Sequence, residues 1–412
     1  MTISIRRAEP ADLQAIARLD SVAFGFSYTE RHLSELADGG IDLARFWVAV
    51  DDSRAGRPDG GPDGTIVGVT GDFDLTVTVP GLRQVRTPGV TWVSVAPTHR
   101  RQGILRGLMI QQLTDYADRG ESMAMLTASE GGIYGRFGYG AASVVRTTEI
   151  DRRTVRLVRS TDPGSVRLVP VQQARDLVPA LFDRWHARTV GAVSRWPARW
   201  RDIFTDHPED REGATEAFYL VHADGYIAYR VKEEWGEGHP SSHLWIHDYV
   251  YLTPQAHLAL WQVVLGYDLV GTIHSHKVPF DDPLARLLDN PRQPRTTAVN
   301  DGVWVRPLDV AAMLSARRYA VEVDAVLEIQ DSLFGDGRYH LTGGPDGAHC
   351  RRVDRGADVR MPVATLGAVY LGGSRLNTLH QAGLAETSDD ALLSRLDRAF
   401  LADREPTHGT PF

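Results

Sequence analysis

The stretch from Val93 to Arg106, Val-Ser-Val-Ala-Pro-Thr-His-Arg-Arg-Gln-Gly-Ile-Leu-Arg, constrains this chain more than any other. A short β-branched run ends at Pro97, and two arginines and a glycine follow. Apolar residues then recur at three- to four-residue spacing: Leu105, Leu108, Met109, Leu113 and Tyr116. That change of period predicts a strand, a basic turn and a helix with one apolar face. The first N–H groups of a helix have no partner within it, and the peptide dipoles add partial positive charge there. Arg100 and Arg101 place two full positive charges at the same end, which destabilises a helix unless an anion sits opposite. The turn therefore reads as a phosphate cradle; an ordinary strand–turn–helix with surface arginines is the plainer alternative. It is neither a Gly-Lys-Ser/Thr nucleotide loop nor a Gly-x-Gly-x-x-Gly dinucleotide turn.

A second segment narrows the choice. From Ala128 to Gly140, Ala-Ser-Glu-Gly-Gly-Ile-Tyr-Gly-Arg-Phe-Gly-Tyr-Gly, five glycines and three aromatics share thirteen positions. Such glycine density costs entropy on ordering and marks tight turns or backbone approached closely by a ligand. Arg100-Arg101-Gln102-Gly103-Ile104, after Val95-Ala96-Pro97, resembles motif A of the GNAT acyltransferases, with Leu105 where a small residue is usual. The two segments together resemble the Eis (enhanced intracellular survival) family of aminoglycoside N-acetyltransferases. The resemblance spans essentially the whole chain and is weaker over residues 1 to 60.

This resemblance implies an α+β chain of tandem GNAT-like domains and a C-terminal sterol-carrier-protein-like domain. It implies acetyl-CoA as co-substrate, with Val93, Ser94 and Val95 lending a strand edge to the pantetheine arm. Arg100, Arg101, Gln102, Gly103, Ile104, Leu105 and Arg106 would hold the pyrophosphate, and Ser129 and Glu130 would add contacts. Phe24 would line the acceptor pocket, although Gly25 to His32 departs from the family pattern of an acidic residue and then a tryptophan. The family also implies a homohexamer and antibiotic resistance through amine acetylation.

Three units are expected. Residues 1–152 form the first, with strands at Ile3–Arg6, Phe46–Val50, Ile66–Thr70, Leu75–Pro80 and Gly89–Val95, a helix over Asp12–Leu19, and a hairpin excursion from Asp51 to Gly64. The second, 165–292, repeats the first in degenerate form. Tyr249 to Trp261 parallels Val93 to Leu105, keeping strand, proline and helix but losing both arginines and the glycine. Such a helix start is a poor pyrophosphate site, so this half is expected not to bind acetyl-CoA. The third, 295–412, alternates from Tyr319 to Ile329 through two expected strands, and helices are expected at Ala364–Gly373 and Asp390–Phe400.

Composition bounds the partners. The formal net charge of −8 argues against a general nucleic-acid binder and is compatible with attracting a polycation. A single cysteine, Cys350, excludes an internal disulfide and suits a reducing compartment. There is no apolar signal region and no run of 18 apolar residues, so a cytoplasmic protein without membrane or metal partners is expected. His274-Ser275-His276 lacks a visible third ligand, and His99 is expected at the surface or beside the phosphate.

Acetyl transfer to an amine needs a neutral nucleophile, a polarised thioester and a stabilised leaving thiolate. By resemblance Tyr134 is the general acid, yet tyrosine ionises near 10 and a thiol near 8.5, so full donation is uphill by about 2 kcal/mol. Either the site lowers the tyrosine pKa or the hydroxyl acts by hydrogen bonding. The resemblance supplies the α-carboxylate of a terminal phenylalanine, here Phe412, as general base. A frayed tail is the ordinary expectation for such residues. Transfer to protein lysines or polyamines, and a non-catalytic acyl-CoA- or lipid-binding role, are the competing readings.

Overall fold

The computed structural model describes residues 3–54, 64–236, 238 and 240–412; most of the expected Asp51–Gly64 excursion lies outside them. The first sheet runs β1 (Ile3–Arg7), β2 (Trp47–Asp51), β3 (Thr65–Val79), β4 (Arg83–Val95), β5 (Met123–Thr127), then β14 (Val303–Pro307) and β6 (Gly140–Ala141). All neighbours are antiparallel except β4 and β5. The expected strands at Ile66–Thr70 and Leu75–Pro80 are one 15-residue strand. The Gly-Asp interruption between them is absorbed by packing. The Phe46 ring fills the space a Gly71 side chain would need, and Arg45 neutralises buried Asp72.

Helix α1 (Leu13–Phe24) buries Ile16, Ala17, Leu19 and Asp20, ends at left-handed Gly25, and is followed by α2 (Glu30–Glu35). Helix α3 (Ile104–Asp118) buries Leu108, Met109, Leu113 and Tyr116, the stripe that its spacing predicted.

The second sheet runs β13 (Arg295–Asp301), β7 (Val144–Asp151), β12 (Val270–Val278), β11 (Ser242–Tyr251), β10 (Gly225–Lys232), β9 (Phe218–His222), β8 (Arg167–Val169). Helices α4 (Val171–His186) and α5 (Pro197–Thr205) build the core on one face, and α6 (Pro254–Leu265) that on the other. As in the first sheet, one central pair, β11 and β12, is parallel.

The expected domain boundaries are corrected at both seams. Strand β7, placed in the first unit, lies in the second sheet. Strands β13 and β14, placed in the third, lie in the second and first sheets. The reason is a shared ribbon. β6 pairs with β14 and β7 with β13, and both chains switch sheets together at Ser143 and Gly302, held by Gly302 N–H to Ser143 O (2.8 Å) and Val303 N–H to Ser143 Oγ (2.9 Å).

The third domain has a four-stranded sheet, β17 (Gly347–Arg352), β16 (Gly337–Gly344), β15 (Val323–Gln330) and β18 (Val359–Pro362), packed with helices including Val363–Tyr370 and Asp390–Phe400. The alternation from Tyr319 gives one strand, not two; Tyr319 itself is buried, its hydroxyl donating to Leu314 O. Cys350 sits in this core.

Gly140 shows why the second segment is rich in glycine. A Cβ there would lie 1.8 Å from the Ala364 carbonyl oxygen, so helix 363–370 rests directly on the strand. Gly140→Ala is expected to destabilise the fold by about 3 kcal/mol, because backbone rather than a side-chain tip must move. A fall in Tm, read by thermal unfolding, checks this.

Candidate active site

Strands β4 and β5 pair only through Gly89↔Met125 and Val90↔Leu126 and then part. At the parting β4 is bulged: the register with β3 shifts between Val69 and Gly71, and Trp92 takes a left-handed φ of 55°. A bulge re-aims the strand and opens its edge. The opening leads into a cavity of about 420 Å3 lined by Asp20, Phe24, Phe26, Tyr28, Val90 to Val93, Thr127, Ala128, Ser129, Tyr134 and Phe412.

The basic turn lies at the end of the same strand. Arg101 and Gly103 both have left-handed φ, 62° and 81°, and no side chain caps the helix start at Gly103. Arg100, Arg101, Gln102, Gly103 and Arg106 are exposed, and none of the three arginines forms an ion pair among the described residues. Uncapped N–H groups beside free cations are a setting that favours an anion. Ile104 is buried against β2 and β3, so only its backbone faces the turn. Leu105 is half-buried in the α3 core. The central copy differs in structure as in sequence. There the Thr253 hydroxyl already accepts the Ala256 N–H, with Pro254 in the first turn.

Tyr134 opens a 3-10 turn, is 6% exposed, and meets Tyr139 edge-on. Burial, with a smaller contribution from Glu130, pushes its hydroxyl up to about 12. The alternative of a lowered tyrosine pKa is therefore not what this environment provides. Ser129 lines the cavity; Glu130 is exposed outside it.

The C-terminal segment is not frayed. Thr407 N–H donates to Val190 O, Val193 N–H to His408 O, and Thr410 Oγ1–H to Val193 O (3.0, 3.0 and 2.8 Å). Arg195 donates to Gly409 O. His408 is buried, and desolvation with nearby Lys277 drives its pKa down to about 3, keeping the ring neutral. The segment delivers Phe412 into the cavity, where Thr127 Oγ1–H donates to Phe412 O at 2.9 Å. Its ring lies where a Gly89 side chain would point: a Cβ there would sit 2.9 Å from it. A larger cavity, about 880 Å3, surrounds residues 401–409 against the central sheet, but neither Tyr134 nor Phe412 lines it.

Phe24, at the end of α1, lines the smaller cavity. Among its neighbours, Asp20 was missed. Asp20, 5% exposed, accepts Ser94 Oγ–H (2.7 Å) on one oxygen and Tyr28 O–H (3.0 Å) on the other. Tyr28 stacks on Trp92 at 5.6 Å. The readable signal was spacing: Asp20 follows Ile16 by four, which puts a carboxylate on the buried stripe. Ser94, expected at the donor arm, thus spends its hydroxyl on Asp20. His99 corrects another expectation: it is buried, 3.4 Å from the Asp51 carboxylate. His274 stacks on Trp245 at 3.8 Å, and no group of three metal-ligating side chains occurs among the described residues. No helix among them is long and apolar enough to cross a membrane.

A parallel pair parting beside an uncapped, arginine-flanked helix start defines a GNAT acyltransferase. Acetyltransferase (GNAT) domain models match residues 4–142 and 191–307, and a sterol carrier protein domain model matches 310–409. The chain belongs to the Eis family of N-acetyltransferases. It is 37% identical over 375 residues to N-acetyltransferase Eis of Mycobacterium tuberculosis, covering 88% of this chain and 91% of that one. An N-acetyltransferase of Streptomyces coelicolor is 36% identical, with 89% and 91% covered. The crystal structure of Eis1 from Mycobacterium abscessus superposes with a TM-score of 0.87 at 31% identity over the full length of both chains. A GCN5-related N-acetyltransferase from Anabaena variabilis shares the fold, with a TM-score of 0.82 at 19% identity, covering 99% of this chain and 100% of that one.

Proposed function

We propose that this N-acetyltransferase transfers the acetyl group of acetyl-CoA to amino groups of aminoglycosides, at more than one position. The observation that carries this reading is the seating of Phe412 and Tyr134 in one cavity at the strand parting. The turn at Arg100–Arg106 would hold the pyrophosphate, and the freed edge of β4 the pantetheine arm.

In the reaction the amine nitrogen bonds to the thioester carbon, the carbon–sulfur bond breaks, and the nitrogen sheds its surplus proton to solvent as the amide forms. The acceptor arrives as an ammonium and must first lose a proton. The α-carboxylate of Phe412 takes it, a role that the Thr127 hydrogen bond to Phe412 O supports. Tyr134, held protonated by burial, donates a hydrogen bond to the departing thiolate, which then takes its proton from solvent. Assembly as a homohexamer and a role in antibiotic resistance belong to the same reading.

Thiol release from acetyl-CoA with tobramycin, neomycin, spermidine and a lysine peptide tests it. Turnover with the aminoglycosides supports the reading. Turnover confined to spermidine or the peptide transfers the assignment to polyamines or protein lysines. CoA binding with no turnover on any amine leaves the binding-protein alternative.

The cradle has its own consequence. Arg100→Ala with Arg101→Ala is expected to raise KM for acetyl-CoA at least tenfold with kcat changed less than threefold, since charge-assisted bonds to phosphate contribute about 1.5–3 kcal/mol. Steady-state kinetics at two salt concentrations check it, because the wild-type advantage should shrink as salt rises.

A further inference from the structure

We propose that Asp20 anchors an ammonium group of the acceptor other than the one being acetylated, so that the pocket selects molecules carrying at least two amines. This rests on the N-acetyltransferase reading above. Among the described residues lining the cavity, Asp20 is the one acidic side chain, and the carboxylate of Phe412 is the other anion there. The two are not equivalent. Both Asp20 oxygens already accept a hydrogen bond, from Ser94 and Tyr28, which fixes the carboxylate, although burial still holds its pKa above the ordinary carboxylate value. A fixed carboxylate next to an ammonium favours the charged form of that amine, and a charged amine cannot attack a thioester. Asp20 therefore suits an amine that stays protonated, while the nucleophile lies by Phe412 and Tyr134.

The surroundings agree. Tyr28 stacks on Trp92 and meets Phe26 edge-on at 4.9 Å, so Asp20 lies beside an aromatic wall. Aromatic faces with one carboxylate are a setting for organic cations. Because Ser94 is on β4, the strand whose edge parts from β5, the anchor is braced by the donor strand itself.

The test compares two amino sugars, neamine with four amines and glucosamine with one. Calorimetric binding to the CoA complex and kcat/KM are both measured. Wild type should prefer neamine at least tenfold in both. Asp20→Asn should raise the neamine Kd and KM at least tenfold and collapse that preference toward unity, with Kd for CoA changed less than twofold. Asp20→Glu, which keeps the charge, should restore most of the preference. Equal affinity of wild type for the two sugars overturns the proposal without any variant. So does an Asn variant that loses both sugars alike, or a Glu variant that loses as much as Asn. Binding is read independently of turnover. An enzyme that binds neamine through Asp20 but acetylates nothing sinks the catalytic reading, whereas turnover without Asp20-dependent preference sinks this one.

Discussion

Tyr134→Phe is expected to lower kcat by about 10²–10³ while KM for acetyl-CoA changes little. The variant keeps the ring that packs in the α3 core and against Tyr139, so the fold is spared. What disappears is one preorganised donor aimed at a charge that exists only as the carbon–sulfur bond breaks. Loss of a single such donor in a dry site carries about this cost. Burial is what keeps the hydroxyl loaded: with its pKa pushed up to about 12, it stays protonated through the range in which acceptor amines become neutral. Activity should thus climb from pH 6 to 9 as the amine is freed, with no descending limb from Tyr134 below about pH 10. A pH–rate profile for wild type and variant checks both statements. An undiminished kcat in the phenylalanine enzyme would end this assignment.

Removal of Phe412 is expected to be as severe, about 10²–10³ in kcat, through loss of the base. The rest of the segment should stay in place, because its anchors at Thr407, His408 and Thr410 lie upstream of the deletion. A sharper variant appends one glycine after Phe412. The ring can remain against Gly89 while the carboxylate moves one residue away from Thr127. If the extended protein kept full activity, the terminal carboxylate would have no part in proton transfer. Stopped assays with a pre-neutralised amine at high pH should narrow the difference between wild type and both variants.

The donor side of this site was legible because its chemistry is local. Strand, arginines, glycine and helix are neighbours in the chain, and the apolar stripe of α3 follows from its 3.6-residue period. The loss of the same parts from the central copy was legible for the same reason. The acceptor side was not. Asp20 meets Ser94 across 74 residues and Phe412 meets Thr127 across 285, and no spacing rule reports such pairs. The two sheets failed at their seams for a related reason. β14 follows β13 directly in sequence, yet the ribbon sends them to different sheets, and one polar residue, Ser143, marks the crossing. Asp20 alone could have been suspected, as a carboxylate on a buried stripe.

The ribbon also bears on how the chain is made. The first sheet is finished only by residues 303–307, whose Val303, Val305 and Arg306 are fully enclosed. During synthesis the N-terminal acetyltransferase half must wait, one edge of β5 bare, until roughly 160 further residues have left the ribosome; pairings this distant are slow to close. An excised fragment ending near residue 142 would carry the phosphate turn and Tyr134 yet present an open, aggregation-prone edge. The N-terminal half is consequently not a portable module: it is inherited, and fails, together with the central half, whose helix start at Pro254 lacks the two arginines and the glycine.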